Sequence, residues 1–200
     1  MLPEKPFIVS IASRDGSAMP DSIATLKDVA EILKRPFVRN FGHGTGLAAT
    51  RNACMAKLRE ASPGAKELYV FWLDSDIVIE EDPATIAKYV LEAEEKGVSF
   101  TGAYCSLNPD THEMGFSVSD QDGLTLSQEK LKEYASEPFR LRCKYSGLGL
   151  CYLKMPMDYT FRTSGMELED RLFLIDNPQV DVRYVPIANI HNKLIRLRFR

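Results

Sequence analysis

Residues 68–73 read Leu-Tyr-Val-Phe-Trp-Leu, six apolar positions in a row, and the next three are Asp74-Ser75-Asp76. A strand with one wet face alternates apolar and polar side chains. An unbroken apolar run of this length belongs to a strand covered on both faces, which demands layers above and below it. The run ends abruptly in two carboxylates, two positions apart, at the edge of an open α/β sheet where ligands bind. If the strand continued straight, both would lie on one side of it. Carboxylate oxygens suit Mg²⁺ and Mn²⁺, which commonly bridge one or two carboxylates to a substrate's phosphates. An Asp-rich strand-to-loop turn that caps local N–H groups uses the same residues. The fully apolar approach favours the functional reading.

The first hundred residues supply the required layers. Residues 6–13 (PFIVSIAS) form an apolar strand, and residues 21–34 place Ile23, Leu26, Val29, Ala30 and Leu33 at helical spacing before Pro36. FVRNF predicts a second strand, and GHGTG at 42–46 precedes a helix from about Leu47 to Glu60. Asp82-Pro83 reads as an N-cap followed by Pro at the first helical position, with Gly97 closing that helix. VSFTGAY follows as a strand. Beyond it the pattern is mixed: strand-like FRLRCKY (139–145) and LCYLK (150–154), a short helix around residues 167–174, and a last strand VRYVPI (182–187). Strands separated by helices predict an α/β, Rossmann-type sandwich with a mostly parallel central sheet flanked by helices, and antiparallel strands added in the C-terminal half.

Composition narrows the class. At 200 residues with no repeat or linker, one domain spanning 1–200 is expected. The 25 basic and 28 acidic residues give a net charge of −3, which argues against a general nucleic-acid coat. No run of about 20 apolar residues occurs, so no transmembrane span is expected, and the N-terminus lacks the pattern of a signal peptide. The four cysteines form no CxxC pair, so buried, reduced thiols in a cytoplasmic protein are expected. The tail from Lys193 to Arg200 alternates basic and apolar residues from Arg196 onward. It reads either as a plain edge strand or as a peripheral contact with an anionic lipid surface or lipid-linked acceptor.

The segment Gly46-Leu-Ala-Ala-Thr-Arg51-Asn52, followed by Phe71-Trp-Leu-Asp74-Ser-Asp76, resembles nucleotide-sugar glycosyltransferases of the A-type (GT-A) fold. That family has an Arg-Asn pair opening a helix, then an apolar strand entering a DxD motif. Thr101-Gly102-Ala103-Tyr104 is similar to its next strand, Gly147-Leu-Gly149 to the glycine turn on its acceptor side, and Glu169-Asp170 to its acidic pair. His191 lies where many members place a late metal-binding His. The similarity covers about residues 7–192, and the short length is similar to that of small members from archaea and their viruses.

The resemblance implies a nucleotide-sugar half over about 1–104 and an acceptor and catalytic half over about 105–200. It implies transfer from a UDP- or GDP-linked sugar to a hydroxyl of a glycan, lipid-linked or protein acceptor, with Mn²⁺ or Mg²⁺ as cofactor and a homo-oligomer as one possible state. Asp76 is the first choice for coordination, with Asp74 nearer the ribose or bound through water and His191 as a further ligand. Ser13, Arg14 and Ser75 are placed around the nucleotide. Asp170, then Glu169, then Glu167, is the expected general base, which implies inversion.

Arg51 also has its own argument. It interrupts the apolar stripe of its helix, so its guanidinium must meet an anion. A diphosphate and a structural ion pair with Asp74 are equally good partners. The glycine cluster before it is either an anion cradle at a helix start or a plain loop. Two other functions compete. The run into Asp74-Ser-Asp76 also fits the first motif of haloacid-dehalogenase-type phosphohydrolases, and a catalytically silent nucleotide-sugar or glycan-binding module would share the fold.

Overall fold

The computed structural model describes residues 2–13, 17–107, 114–163, 169–191 and 195–197, with backbone alone for 106, 107, 114, 169 and 195–197. Strand β1 (Phe7–Ala12) is buried at every position. Its Phe7, Val9 and Ile11 enter one apolar cluster and Ile8 the other, because successive side chains point to opposite faces. Strand β3 (Glu67–Asp74) divides in the same way, Phe71 and Leu73 against Val70 and Trp72. Both faces being covered is the reason its apolar run is continuous.

Helices α1 (Pro20–Ile32) and α3 (Pro83–Lys96) cover the first face through Leu26, Val29, Ile86 and Val90. Helices α2 (Leu47–Ala61) and α5 (Glu169–Asp176) cover the second through Cys54, Met55, Leu58 and Phe173. The punctuation of α3 follows its sequence: the Asp82 carboxylate accepts from Thr85 N–H, Pro83 opens the helix and Gly97 closes it in the left-handed region at φ 67°.

The central sheet has the order β2-β1-β3-β8-β5-β9, with β2 at Phe37–Gly42, β5 at Ser99–Thr101, β8 at Leu150–Pro156 and β9 at Val182–Tyr184. Only β8 runs against the others, pairing antiparallel with both β3 and β5. A small antiparallel sheet joins β4 (Ile77–Ile79), β10 (Asn189–His191) and β11 (Ile195–Leu197). β6 (Cys105–Leu107) pairs with β7 (Met114–Phe116), and α4 (Gln128–Ala135) lies beyond them. The result is an α/β protein with a mostly parallel, Rossmann-like central sheet.

Several expected elements change. Residues 139–145 are not a strand. Phe139, after Pro138, sits at φ 66°, and the segment runs irregularly along β9 with a single bridge between Arg142 and Arg183. The strand over 98–104 stops at Thr101, because Gly102 N–H turns to Leu150 O and Tyr104 N–H to Ser117 Oγ. The last expected strand, 182–187, ends at Tyr184 just before Val185-Pro186. The helix expected at 167–174 is described over Glu169–Asp176 and so reaches two residues further, while 167 and 168 lie outside the described residues. All four cysteines are free and buried, and burial raises each thiol's pKa. Among the described residues no helix is long and apolar enough to cross a membrane.

Candidate functional site

The parallel strands end together, and the chain's chemistry collects at that edge. In register, Ala12 of β1 stands beside Asp74 of β3, and Asp74 N–H bonds Gly149 O at 2.8 Å just before β8. β3 does not continue straight. The chain turns at Ser75-Asp76 and enters the small sheet at Ile77. Asp74 and Asp76 both open into one cavity of about 840 Å³, which Ser13, Ser75, Arg51, Gly147, Asp170 and His191 also line.

Asp74 is held on two sides. Its Oδ1 lies 3.2 Å from a terminal nitrogen of Arg51, whose side chain is only 2 % exposed. The same guanidinium sits 5.3 Å above the Trp72 ring and reaches Leu148 O at 3.4 Å. Of the two partners the sequence left open for Arg51, the structure contains the ion pair. Of the stripe at helical spacing, Leu47, Arg51, Cys54 and Leu58, the first is not buried. Thr50, Arg51, Cys54, Met55 and Leu58 are buried, while Leu47 is half-exposed and lines the cavity. On its other side Asp74 packs against Gly149. A Cβ there would collide with Oδ2 and lie 2.7 Å from the carboxyl carbon. Gly42 and Gly44 have a related role, since a Cβ at either would strike the first turns of α2.

Asp76 meets His191. The carboxylate Oδ2 is 3.4 Å from Nε2, while Nδ1 donates to Cys105 O at 2.6 Å. Because a carbonyl only accepts, Nδ1 carries a proton, and Nε2 faces a carboxylate oxygen. Burial opposes charge on this imidazole, but Asp76 and the Cys105 carbonyl outweigh it and raise its pKa. The His191 contact in turn holds the Asp76 carboxyl below its ordinary range. Among the described residues no three His, Cys, Asp or Glu side chains converge to hold a metal.

Tyr104 was read from sequence only as part of a strand, yet it organises the cavity wall. Its ring lies edge-on to His191 at 5.0 Å, and its hydroxyl occupies the space that a side chain on Gly147 would need. Burial, and then the charges of Asp74 and Asp170, push its pKa well up, so the phenol stays protonated.

Asp170, in α5, also lines the cavity, one oxygen accepting from Arg171 N–H at 2.7 Å. Arg171 lines the same cavity and was not foreseen. Glu169 begins α5, but its side chain, together with Arg14 and Glu167, lies outside the described residues. In the tail only the backbone of Ile195–Leu197 is described, as β11.

The chain is similar in structure to A197 from STIV, with a TM-score of 0.57 over 93% of this chain and 85% of that chain, at 16% identity. That likeness shows the fold. No protein-family model and no curated protein matches the sequence.

Proposed function

We propose that this chain is a nucleotide-sugar glycosyltransferase of the A-type fold, moving a sugar from a UDP- or GDP-linked donor to an acceptor hydroxyl with inversion. The observation that carries the reading is the single cavity into which Asp74, Asp76, Arg51, His191 and Asp170 all open. Its size suits a small-molecule site, which typically spans about 300–1,000 Å³. The donor occupies the β1, β3 and α2 side and the acceptor hydroxyl approaches Asp170.

The residues fit a divalent cation. His191 is fixed by its Nδ1 bond to Cys105 O, an outer contact typical of metal-binding imidazoles, and aims Nε2 at Asp76 Oδ2. Asp76 and His191 would hold the ion. Two protein ligands suffice where a substrate's phosphates and waters complete the set. When bound, Mn²⁺ or Mg²⁺ supplies Lewis-acid stabilisation of charge on the leaving diphosphate.

The chain's own groups do the rest. Arg171 N–H orients the Asp170 carboxylate. As the acceptor oxygen forms its bond to the anomeric carbon, Asp170 takes the hydroxyl proton. The bond from that carbon to the diphosphate breaks, and the nucleoside diphosphate leaves with the electron pair. Tyr104 supports His191 by packing against its ring. A phosphohydrolase using Asp74 as nucleophile is disfavoured, because that carboxylate is paired to Arg51 and packed on Gly149.

The test is binding of UDP and GDP by calorimetry with and without Mn²⁺, beside turnover of a nucleotide-sugar panel. Asp76→Ala is expected to abolish metal-dependent nucleotide binding. Asp170→Asn is expected to bind normally and lose transfer by about 10²–10⁴-fold. Hydrolysis of a generic phosphatase substrate with no nucleotide-sugar consumed would sink the reading.

A further inference from the structure

A second cavity, about 420 Å³, lies between residues 142–145, α5 and residues 178–180. Tyr145 lines both this groove and the chamber that holds Asp170. Two cations stand on that ring, Arg171 at 4.8 Å and Lys144 at 5.6 Å from its centroid.

The charge of the groove is one-sided. Arg142 and Lys144 line it, and among the described residues no Asp or Glu does. Lys144 has no carboxylate within ion-pair distance among the described residues; its ammonium makes one long bond, 3.4 Å, to Asp122 O. Arg171 likewise has no described carboxylate partner for its guanidinium. Arg142 shares Asp181 with Arg183, at 3.5 Å and 2.7 Å, so two cations divide one anion. Such a cleft draws anions and binds carboxylate or phosphate through charge-assisted hydrogen bonds. The opposite wall is aliphatic, formed by Leu174, Ile175, Pro178 and Val180. It suits the C–H faces of sugar rings, and the Gln121 amide can bond their hydroxyls.

We propose that this groove is the acceptor site and takes a glycan carrying a carboxylate or phosphate group, read by Lys144 and Arg142 with Arg171 at the mouth. The inference rests on the transferase reading above. With the anionic group in the groove, a neighbouring sugar hydroxyl reaches past Tyr145 toward Asp170.

The experiment uses the full chain with Mn²⁺ and UDP or GDP on an array of neutral, uronate-bearing and phosphorylated glycans. Donor hydrolysis without acceptor is measured in parallel. Wild type is expected to bind acidic glycans, the uronate and phosphate arms naming the group, and Arg142→Gln/Lys144→Gln to weaken that binding on the order of tenfold or more. Donor hydrolysis and the melting temperature are expected to stay unchanged in the double variant. Acidic glycans held equally by both proteins, a preference for neutral glycans, or no glycan bound while donor hydrolysis persists would overturn the acceptor assignment alone. Loss of donor binding and hydrolysis in wild type would overturn the transferase reading beneath it. Co-sedimentation with phosphatidylserine vesicles, abolished in the double variant and without glycan binding, would make the groove a membrane face and end the proposal.

Discussion

Gly149→Ala tests the packing that fixes the first carboxylate of the DxD segment. The new Cβ would overlap Asp74 Oδ2, lie 2.7 Å from its carboxyl carbon and 3.0 Å from the Tyr104 hydroxyl. Ordinary carbon contacts are about 3.5–4.0 Å, so the carboxyl carbon must retreat by about 1 Å. Backbone adjustment gives little relief, because Asp74 N–H is bonded to Gly149 O at 2.8 Å. Retreat pulls Oδ1 from Arg51, a guanidinium with almost no access to water. Overpacking of this kind costs about 1–3 kcal/mol. In a chain of this length that corresponds to a fall in Tm of roughly 2–12 °C. The assay is thermal unfolding followed by circular dichroism, with nucleotide affinity measured in parallel and expected to drop. Gly115→Ala, where a Cβ meets nothing within 4 Å, is the control and is expected to melt with wild type. If Gly149→Ala melts and binds like Gly115→Ala, Asp74 is not held against that backbone and the account of the site is wrong.

Three further outcomes are expected. Glu94 accepts from both terminal nitrogens of Arg35, at 2.6 and 2.7 Å, and from the Tyr152 hydroxyl; burial pushes its carboxyl up, but these partners outweigh it and hold the pKa below the usual range. A lowered folded pKa adds stability that is complete above the ordinary glutamate value of about 4.3 and is lost as pH falls through the folded value. The Tm gap between wild type and Glu94→Gln should therefore close in acid, and a constant gap from pH 3 to 8 would contradict it. Asn52 both donates to and accepts from the Phe161 backbone, at 2.8 and 2.7 Å; Asn52→Ala should cost about 1–3 kcal/mol in urea unfolding by leaving buried backbone groups unpaired, and no change would show that water replaces the side chain. Arg51→Met should cost about 3 kcal/mol by stranding the Asp74 charge, and adding Asp74→Asn should recover part of it; strictly additive losses would show that the two are not coupled.

The layers were legible because they follow from periodicity. The continuous run at 68–73 demanded coverage on both faces; α1 supplies part of it with Ile23, Leu26, Val29 and Ala30, as their spacing marks, and α2 and α3 supply more. Gly97 and Asp82 ended and began α3 as their chemistry requires. The second half was harder, because its elements are set by partners distant in sequence. Residues 139–145 have strand composition, but Phe139 N–H and Cys143 N–H are drawn to Tyr184 O and Val182 O around a kink. β4, β10 and β11 are three residues each, too short for any period to show. The same limit governs the site. Asp74, Asp76 and Asp170 announce themselves by charge at element ends, whereas Tyr104 is apolar in pattern and shows its place only when Gly147 and His191 are brought to it.

The Arg51 pairing constrains how a diphosphate can be held. A guanidinium at 2 % exposure has lost nearly all its hydration, so its charge must be met whether or not a donor is bound. Asp74 meets it and is fixed from behind by Gly149. The contact holds Asp74 still beside the turn that carries Asp76. On the proposed reading the diphosphate charge would be met by an ion held at Asp76 and His191, which both line the cavity, Asp76 half-exposed and His191 nearly buried. This separates two effects that a bare DxD motif merges. Loss of Asp76 should remove metal-dependent binding in a protein that stays folded. Loss of Asp74 should disturb the fold around Arg51 first, and binding only as a consequence.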